Sequence, residues 1–236
     1  MKKTILALAV LAAGVSASAQ ESAKSALAVT LDVTYVSDYV FRGVKLADAS
    51  IQPSVEASYG DFYAGAWHSD AISDGASSFG GSETDLYAGY NLAINETFAA
   101  DLGVTRYTYN GGSQGDTTEV FAGLKADVLL SPSAYYYYDF DLETSSYIGS
   151  VGHSLPIAKL GLSLDLSATL GYIQIPGNDY TYWGVGAAVP YKLSDTAKLT
   201  AAVNYTSVDT SNISNIAGIS NDQDQVVFSV GLAVGF

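Results

Sequence analysis

The acidic side chains are the best candidates for a functional role in this sequence, because they recur at alternate positions of extended segments. If these positions share one face of a closed sheet, they form an acidic lumen that favours cations or neutral polar solutes over anions. The alternative is that the groups pair across strands or lie solvated near a rim. The residues predicted to line such a lumen are Asp32, Asp38, Arg42, Glu56, Asp85, Asp101 and Asp165. The same spacing adds Glu119, Lys125, Asp127, Asp139 and Asp141.

Arg42 is the basic residue that most needs an explanation, because it follows a run of aromatic residues. In YVSDYVFRG (Tyr35–Gly43), a period of two places the three aromatic residues on one face of a strand. Asp38 and Arg42 then lie on the opposite face. With the aromatic face toward lipid, we expect Arg42 to meet an acid on a neighbouring strand, such as Glu56 or Asp85.

Hydrolytic chemistry would need a serine activated by a histidine that a third group orients. The sequence contains two histidines, His68 and His153. Ser154 follows His153 directly, so in a strand their side chains point to opposite faces and cannot form that pair. A serine on a neighbouring strand could still approach either histidine, which keeps a lipid hydrolase as a remote alternative. The sequence contains no cysteine, and we predict no catalytic residues, metal site or cofactor.

The chain begins with the features of an export signal. Lys2 and Lys3 precede a short apolar run, and Ala17-Ser18-Ala19 forms a small-residue cleavage site. We therefore predict a signal peptide over residues 1–19 and one domain over residues 20–236. That domain keeps eight basic and 24 acidic residues, a formal charge of −16. Such acidity argues against nucleic-acid binding, which depends on basic groups that neutralise phosphates.

The strand pattern is clearest at Leu160–Tyr172, LGLSLDLSATLGY, where apolar residues occupy the even positions. Gly, Ser, Thr and Asp occupy the odd positions, which indicates a strand with one apolar and one polar face. The segment is also long enough to cross a membrane as a tilted strand. The same alternation predicts about twelve strands. They lie near 28–42, 50–59, 62–69, 83–94, 97–109, 117–129, 133–142, 145–155, 159–174, 179–192, 197–209 and 224–236.

The connections between these strands alternate between short turns and mostly longer loops. This arrangement is typical of outer-membrane barrels, with the short turns and both termini at the periplasmic end. The chain also ends in an amphipathic strand closed by Phe236, which resembles the signal read by the barrel assembly machinery. A secreted β-sandwich or lipocalin-like barrel is the alternative, but its outer face would carry more charge than this chain offers. We therefore predict a transmembrane antiparallel up-and-down β-barrel.

Aromatic residues collect at two levels of the predicted barrel, as expected where a membrane meets water. One level contains Tyr39, Phe41, Trp67, Tyr107, Tyr109, Tyr138, Phe140, Tyr147, Tyr172, Tyr180, Trp183 and Tyr205. The other contains Tyr59, Phe62, Tyr63, Phe98, Tyr191 and Phe236. The facing of the strand at Phe62–Ser69 stays open, because Tyr63 and Trp67 share one parity while Phe62 and His68 share the other.

Several motifs resemble the TorF-type porin family, also called Gcw_chp outer-membrane proteins. They are SDYVFRG (Ser37–Gly43), FYAGAW (Phe62–Trp67), ETDLYAGY (Glu83–Tyr90), DLGVTRYTY (Asp101–Tyr109), TEVFAGL (Thr118–Leu124) and AYYYYDFD (Ala134–Asp141). The resemblance implies an outer-membrane barrel and a pore. It supplies no agreed substrate and no catalytic residues.

The function predicted from these features is passive diffusion of small polar solutes across the outer membrane of a Gram-negative cell. The alternative is a pore-less structural or receptor barrel, plugged by inward tyrosines such as Tyr87, Tyr135 and Tyr137. The expected partners are outer-membrane lipid and lipopolysaccharide, the assembly machinery through Phe236, and small solutes. The sequence leaves the solute, gating and oligomeric state open.

Overall fold

The computed structural model describes residues 26–72, 81–111, 115–209 and 224–236. The strands are, in chain order, β1 (Leu27–Val36), β2 (Tyr39–Phe41), β3 (Val44–Ala47), β4 (Ser50–Tyr59), β5 (Phe62–Ala71), β6 (Ser82–Ala93), β7 (Phe98–Asn110), β8 (Thr117–Ala126), β9 (Ser133–Asp139), β10 (Thr144–Ile157), β11 (Leu162–Ile175), β12 (Asn178–Lys192), β13 (Ala197–Asp209) and β14 (Asp224–Gly235). No helix in the described part of the chain is long and apolar enough to cross a membrane. The predicted signal peptide and cleavage site lie outside the described residues.

Twelve of these strands form one closed barrel, and β2 and β3 form a separate hairpin. Each wall strand pairs antiparallel with its sequence neighbours, and β1 closes the barrel by pairing with β14. Val29 and Phe236 exchange two backbone hydrogen bonds at the end of this seam. The predicted twelve-stranded antiparallel barrel is therefore confirmed.

The alternation at Leu160–Tyr172 sets the two faces of the wall as predicted. Within β11, Leu170 is 63% exposed on the outer face, whereas Asp165 is 3% exposed on the inner face. Such outward apolar side chains recur around the barrel. This pattern suits a wall with lipid outside and polar contacts inside.

The two ends of the barrel differ in their connections. At the turn end, β4 and β5 are joined by the residues 60–61, and β12 and β13 by 193–196. The first wall strand, β1, begins at this end of the barrel, and the last one, β14, ends here. At the loop end, the hairpin β2–β3 folds from the connection between β1 and β4 into the barrel, and short connections over 140–143 and 176–177 join β9 to β10 and β11 to β12.

The first predicted strand, 28–42, is wrong beyond residue 36. The wall strand β1 ends at Val36, and the chain then turns inward to form the hairpin β2–β3, called the inner hairpin below. Its tip is the two-residue turn Arg42-Gly43, where φ is 48° and 86°. Positive φ at both central residues is what a type I′ hairpin turn requires. Arg42 is therefore a strained turn residue and not part of an alternating strand.

The inner hairpin is held by apolar packing inside the barrel, which corrects the predicted aromatic levels. Its Tyr39 and Val40 are buried together with Trp67 of β5 and Val227 of β14. The rings of Tyr39 and Trp67 lie with centroids 5.4 Å apart. Rings predicted at the outer interface but found inside are Tyr39, Phe41, Trp67, Tyr107, Tyr109 and Tyr180.

The strand left open by the sequence, β5, turns Tyr63 and Trp67 toward the lumen. Phe62 is 66% exposed on the outer face, and His68 shares that outer parity. The remaining rings of the loop-end level form an outer aromatic band, with contacts such as Trp183 to Tyr205 at 5.2 Å between centroids. Two levels of outward rings are therefore present, although with fewer members than the parity alone predicted.

Candidate functional site

The lumen wall has two chemically different halves. The aromatic half, formed by the inner faces of β4 to β9, carries large rings and most of the buried acids. Its inward rings are Tyr63, Trp67, Tyr87, Tyr107, Tyr109, Phe121, Tyr135 and Tyr137. The small-residue half, formed by the inner faces of β10 to β14 and β1, carries mainly Ser, Thr, Gly, Ala and Asn, with Tyr180 and Tyr182 of β12 as its inward rings near the loop end.

Rings of the aromatic half rest on glycines of the neighbouring strand. The cross-strand pairs are Tyr87 with Gly65, Tyr63 with Gly89, Phe121 with Gly103 and Tyr135 with Gly123. A β-carbon at any of these glycines would overlap the facing ring. The rings therefore lie close against the wall, over the glycines of the neighbouring strand.

The tyrosine hydroxyls of this half are directed at carboxylates. Tyr63 and Tyr135 donate to the two oxygens of Asp101 at 2.9 and 2.8 Å. Tyr87 donates to Glu56 Oε2 at 3.1 Å. Each hydroxyl stabilises a charged oxygen, because hydrogen bonds to ionised groups are stronger than neutral ones.

Arg42 crosses the lumen from the hairpin tip to the aromatic half. Its two terminal nitrogens donate to the two oxygens of Glu119, both at 2.7 Å, and Nη1 also donates to Ser146 at 2.9 Å. The guanidinium carbon lies 4.5 Å from the ring centroid of Tyr137. Tyr107 donates to Glu119 at 3.0 Å. The expectation that Arg42 meets Glu56 or Asp85 is therefore wrong.

The pair keeps Arg42 charged although it is buried. Burial opposes the charge, but the Glu119 carboxylate outweighs it and raises the pKa of the Arg42 guanidinium above its ordinary value. A bidentate arginine–carboxylate pair also fixes direction as well as distance. The hairpin tip is therefore anchored to β8 and β10.

A second cation on the aromatic half repeats this chemistry. Lys125 Nζ lies 2.9 Å from an oxygen of Asp101 and 5.8 Å from the ring centroid of Tyr135. It also donates to Asn91 at 3.4 Å. A carboxylate and a tyrosine ring thus hold both cations of this half among the described residues.

Acids on the loop-end side of the aromatic half are buried beneath the inner hairpin. Glu83 and Asp85 are neighbours on the inner face of β6, and Glu83 is hydrogen-bonded by Tyr39 of the hairpin and by Tyr109. Asp139 accepts hydrogen bonds from the backbone N–H groups of Asp141 and Leu142. These acids therefore hold the hairpin and the β9–β10 turn in place.

The small-residue half holds its acids with hydroxyl groups. Asp165 accepts from Ser154 at 2.6 Å and from Ser163 at 3.0 Å. Asp32 accepts from Thr34 at 2.8 Å. The sequence placed both acids inside the barrel, and their surroundings lack the rings that accompany Asp101.

The other predicted lumen residues lie in different places. Glu56, Asp85 and Asp101 lie on the inner face of the aromatic half. Asp38 is not on the wall, because it belongs to the inner-hairpin connection and pairs with Lys45. Asp127 and Asp141 are exposed in turns, so their parity with the strand residues has no structural meaning.

Two features of the lumen were missed by the sequence reasoning. The partner of Arg42 is Glu119, whose place on the opposite side of the barrel no local pattern indicates. The ring-over-glycine pairs do leave a signal, because an aromatic residue and a glycine alternate at the same parity in FYAGAW and LYAGY. That signal would have turned Tyr63 inward.

The two histidines lie on different strands, and His153 and Ser154 point to opposite faces of β10. His68 Nδ1 is 2.9 Å from Thr84 Oγ1. His153 is exposed on the outer face, whereas Ser154 turns inward and donates to Asp165. In the described ranges, no group of three or more His, Cys, Asp or Glu side chains could hold a metal ion.

Burial along the lumen changes from one end to the other. Near the loop end, inner-face residues such as Ser50 and Ser146 are 0% exposed because the inner hairpin covers them. Near the turn end, inner residues such as Ser58, Ser133 and Thr200 are partly exposed. The lumen is thus filled on the hairpin side and accessible on the turn side.

Comparison with known proteins places this barrel among others of the same architecture. The profile of a bacterial protein family of unknown function, Gcw_chp, matches residues 20–233. No curated protein matches the sequence.

Solved structures with a similar fold are porins and outer-membrane channels. The KdgM porin superposes with a TM-score of 0.59 at 14% identity, over 88% of this chain and 99% of that one. The NanC porin gives 0.56 at 13%, over 87% and 98%. The COG4313 channel from Pseudomonas putida F1 gives 0.56 at 12%, over 92% and 98%. At these identities the likeness concerns the fold alone.

Proposed function

Because the chain belongs to the Gcw_chp family, whose function is unknown, its function has to be argued from the barrel, and we propose an outer-membrane channel. The channel would carry small polar solutes by passive diffusion, without catalytic turnover. The closed barrel with porin-like architecture and the polar inner face support this proposal. The narrower family name, TorF-type porin, is consistent with it and rests on the motif resemblance.

A preference for cations or neutral solutes is the second part of the proposal. The observation that carries it is the charge of the aromatic half, where six acids face the lumen: Glu56, Glu83, Asp85, Asp101, Glu119 and Asp139. Among the described residues only Arg42 and Lys125 oppose them there. Charged side chains that line the lumen in this way set the ion selectivity of channels.

Acidic oligosaccharides do not suit this lumen. The KdgM porin has been solved in complex with disordered oligogalacturonate, and binding of such a chain needs available cations. Arg42 is already paired with Glu119. Arg106 is exposed on β7 and lies 3.3 Å from Asp116. We therefore do not extend that ligand to this protein.

A pore-less structural barrel is the second candidate, and the inner hairpin favours it. The hairpin fills the loop end of the lumen, and its tip reaches from β1 across to Tyr182 and Val208 at Gly43. If it stays in place, the barrel does not conduct. The proposed channel therefore requires either a gap beside the hairpin or its movement.

The remaining partners follow from the outer surface. The outward apolar side chains would contact outer-membrane lipid, with lipopolysaccharide at the loop end. Phe236, 74% exposed at the end of β14, would be the residue read by the barrel assembly machinery. The signal peptide over residues 1–19 would direct export.

Conductance of the refolded protein in a planar bilayer under a KCl gradient tests the proposal. The variant for comparison replaces residues 38–48 with a short Gly/Ser linker, which removes the inner hairpin and keeps the wall. We expect discrete conductance steps, a reversal potential of the sign for cation preference, and larger steps in the variant.

Each outcome separates the candidates. Steps in the variant alone would mean a barrel plugged by its hairpin, and silence in both proteins would contradict the channel. Anion preference in the wild-type protein would contradict the acidic-lumen argument and leave the channel itself intact.

A further inference from the structure

The aromatic half already binds two different cationic groups, both supplied by the protein itself. The guanidinium of Arg42 is held by Glu119 and the ring of Tyr137, and the ammonium of Lys125 by Asp101 and the ring of Tyr135. Both ring distances fall within the roughly 6 Å over which a cation is attracted by an aromatic face. The repeated unit is therefore one carboxylate with one tyrosine ring.

A third unit of this kind is formed by Glu56 and Tyr87. Glu56 is 7% exposed and accepts a hydrogen bond from the Tyr87 hydroxyl at 3.1 Å. The Tyr63 ring centroid lies 6.3 Å from that of Tyr87. Among the residues that the structure describes, no lysine or arginine forms an ion pair with Glu56. This unit has the carboxylate and the rings, and the wall cation that acts on Glu56 from a distance, Lys125, is itself paired with Asp101.

The geometry points to a subsite for small organic cations, formed by Glu56, Tyr63 and Tyr87. The solute would carry a guanidinium group that pairs with Glu56 and lies against the rings. The inference rests on the proposed channel function, because it names the solute class that the lumen recognises.

The surrounding chemistry separates organic cations from other ligands. A hard metal ion such as Ca²⁺ takes six to eight oxygen ligands, and one carboxylate beside two rings supplies too few. A neutral sugar would leave the buried Glu56 charge without a counter-charge, which is costly in a partly dehydrated site. A planar guanidinium can both pair with a carboxylate and stack on a ring.

Block of the current by L-arginine and by L-citrulline tests the subsite in the full-length refolded protein. The two solutes differ at the side-chain end, where arginine carries a guanidinium and citrulline an uncharged ureido group. We expect arginine to reduce the current of the wild-type channel at about tenfold lower concentration, since a charged hydrogen-bonded pair is lost with citrulline.

Two substitutions that remove the same charge locate the effect. Glu56→Gln should bring arginine and citrulline to nearly equal blocking concentrations. Asp165→Asn removes a lumen carboxylate that accepts hydrogen bonds from two serine hydroxyls, and it should keep the arginine-to-citrulline ratio within about twofold of wild type. Tyr87→Leu removes a ring and keeps the carboxylate, and we expect it to weaken arginine block about threefold.

Binding measured without current keeps the inference testable if the barrel does not conduct. Calorimetric titration of the detergent-solubilised protein with arginine and citrulline should show binding of arginine alone, lost in Glu56→Gln. Binding without conductance would overturn the channel and keep the subsite. Equal behaviour of the two solutes, or equal effects of Glu56→Gln and Asp165→Asn, would overturn the subsite and leave a conducting channel in place.

Discussion

The two halves of the lumen wall use the same backbone pairing but stabilise their acids differently. In the aromatic half, Asp101 is held by two tyrosine hydroxyls and a lysine. In the small-residue half, Asp165 is held by two serines. The first arrangement places aromatic faces and a cation beside its carboxylate, and the second places only hydroxyl groups there. The side chains of the proposed cation subsite therefore all lie on one side of the barrel.

The largest effect on stability is expected at the ion pair that joins the hairpin to the aromatic half. Arg42→Met leaves Glu119 buried without its cation, which should lower the free energy of unfolding by about 3–5 kcal/mol. Asp165→Asn in the small-residue half keeps hydrogen-bonding capacity and should cost about 1 kcal/mol. Urea unfolding of the refolded proteins in lipid vesicles measures both.

A double variant decides what the first measurement means. Arg42→Met combined with Glu119→Gln should recover much of the loss, because no charge remains buried and unpaired. If the double variant is as unstable as the sum of its single changes, the pair does not anchor the hairpin.

Substitution of inner glycines should show the next largest difference, between a glycine of the aromatic half that lies under a ring and a glycine of the small-residue half that does not. In Gly123→Ala the new methyl group overlaps the Tyr135 ring, which has to move, at an expected cost of about 1–3 kcal/mol. In Gly186→Ala it meets the side-chain ends of Asn204 and Ser167, which can rotate, so the cost should stay below about 1 kcal/mol. Equal losses in urea unfolding would show that the ring-over-glycine contact has no special role.

Ion selectivity should depend on which half loses its acids. The variant Glu56→Gln/Asp101→Asn and the variant Asp32→Asn/Asp165→Asn each remove two lumen carboxylates. We expect the first to lower the cation-to-anion permeability ratio by about threefold and the second by less than about half of that, because the acid surplus lies in the aromatic half. Reversal potentials in a KCl gradient give the ratios, and a larger effect of the second variant would reverse the assignment.

The smallest effect is expected from the loss of single hydroxyl groups, and here the halves should agree. Tyr63→Phe removes one donor to Asp101, and Ser154→Ala removes one donor to Asp165. Each acid keeps another donor, so both changes should cost about 0.5–1.5 kcal/mol. A much larger loss for Tyr63→Phe in urea unfolding would mean that the ring geometry itself depends on that hydroxyl.

The wall of this barrel could be predicted from the sequence because one face of each strand has to be apolar. The alternation in β11 and β14 specified which side chains face outward, and the structure confirms it. The short turns also predicted that the first wall strand begins, and the last one ends, at the same end of the barrel. These are local properties, which a strand shows in its own residues.

The inner hairpin could not be predicted, because its strands continue the alternation of β1 without a visible break. The turn depends on Arg42 adopting a positive φ, which a non-glycine residue seldom does. The choice of Glu119 as its partner joins residues far apart in sequence and depends on where β8 stands across the closed barrel. The acidity of the lumen could be predicted, but the ring-and-acid grouping required the register between strands.

The seam between β1 and β14 has a consequence for the rate of folding. Its ladder runs from Thr30–Gly235 to Val36–Ser229, shorter than the ladder of β10 and β11 from Ser145–Gln174 to Ile157–Leu162. It also joins the two most distant strands of the wall, so the entropy of closing the chain is spent before its hydrogen bonds form. Hairpins between sequence neighbours should therefore form early, and closure of the seam should limit the rate at which the barrel reaches its native state.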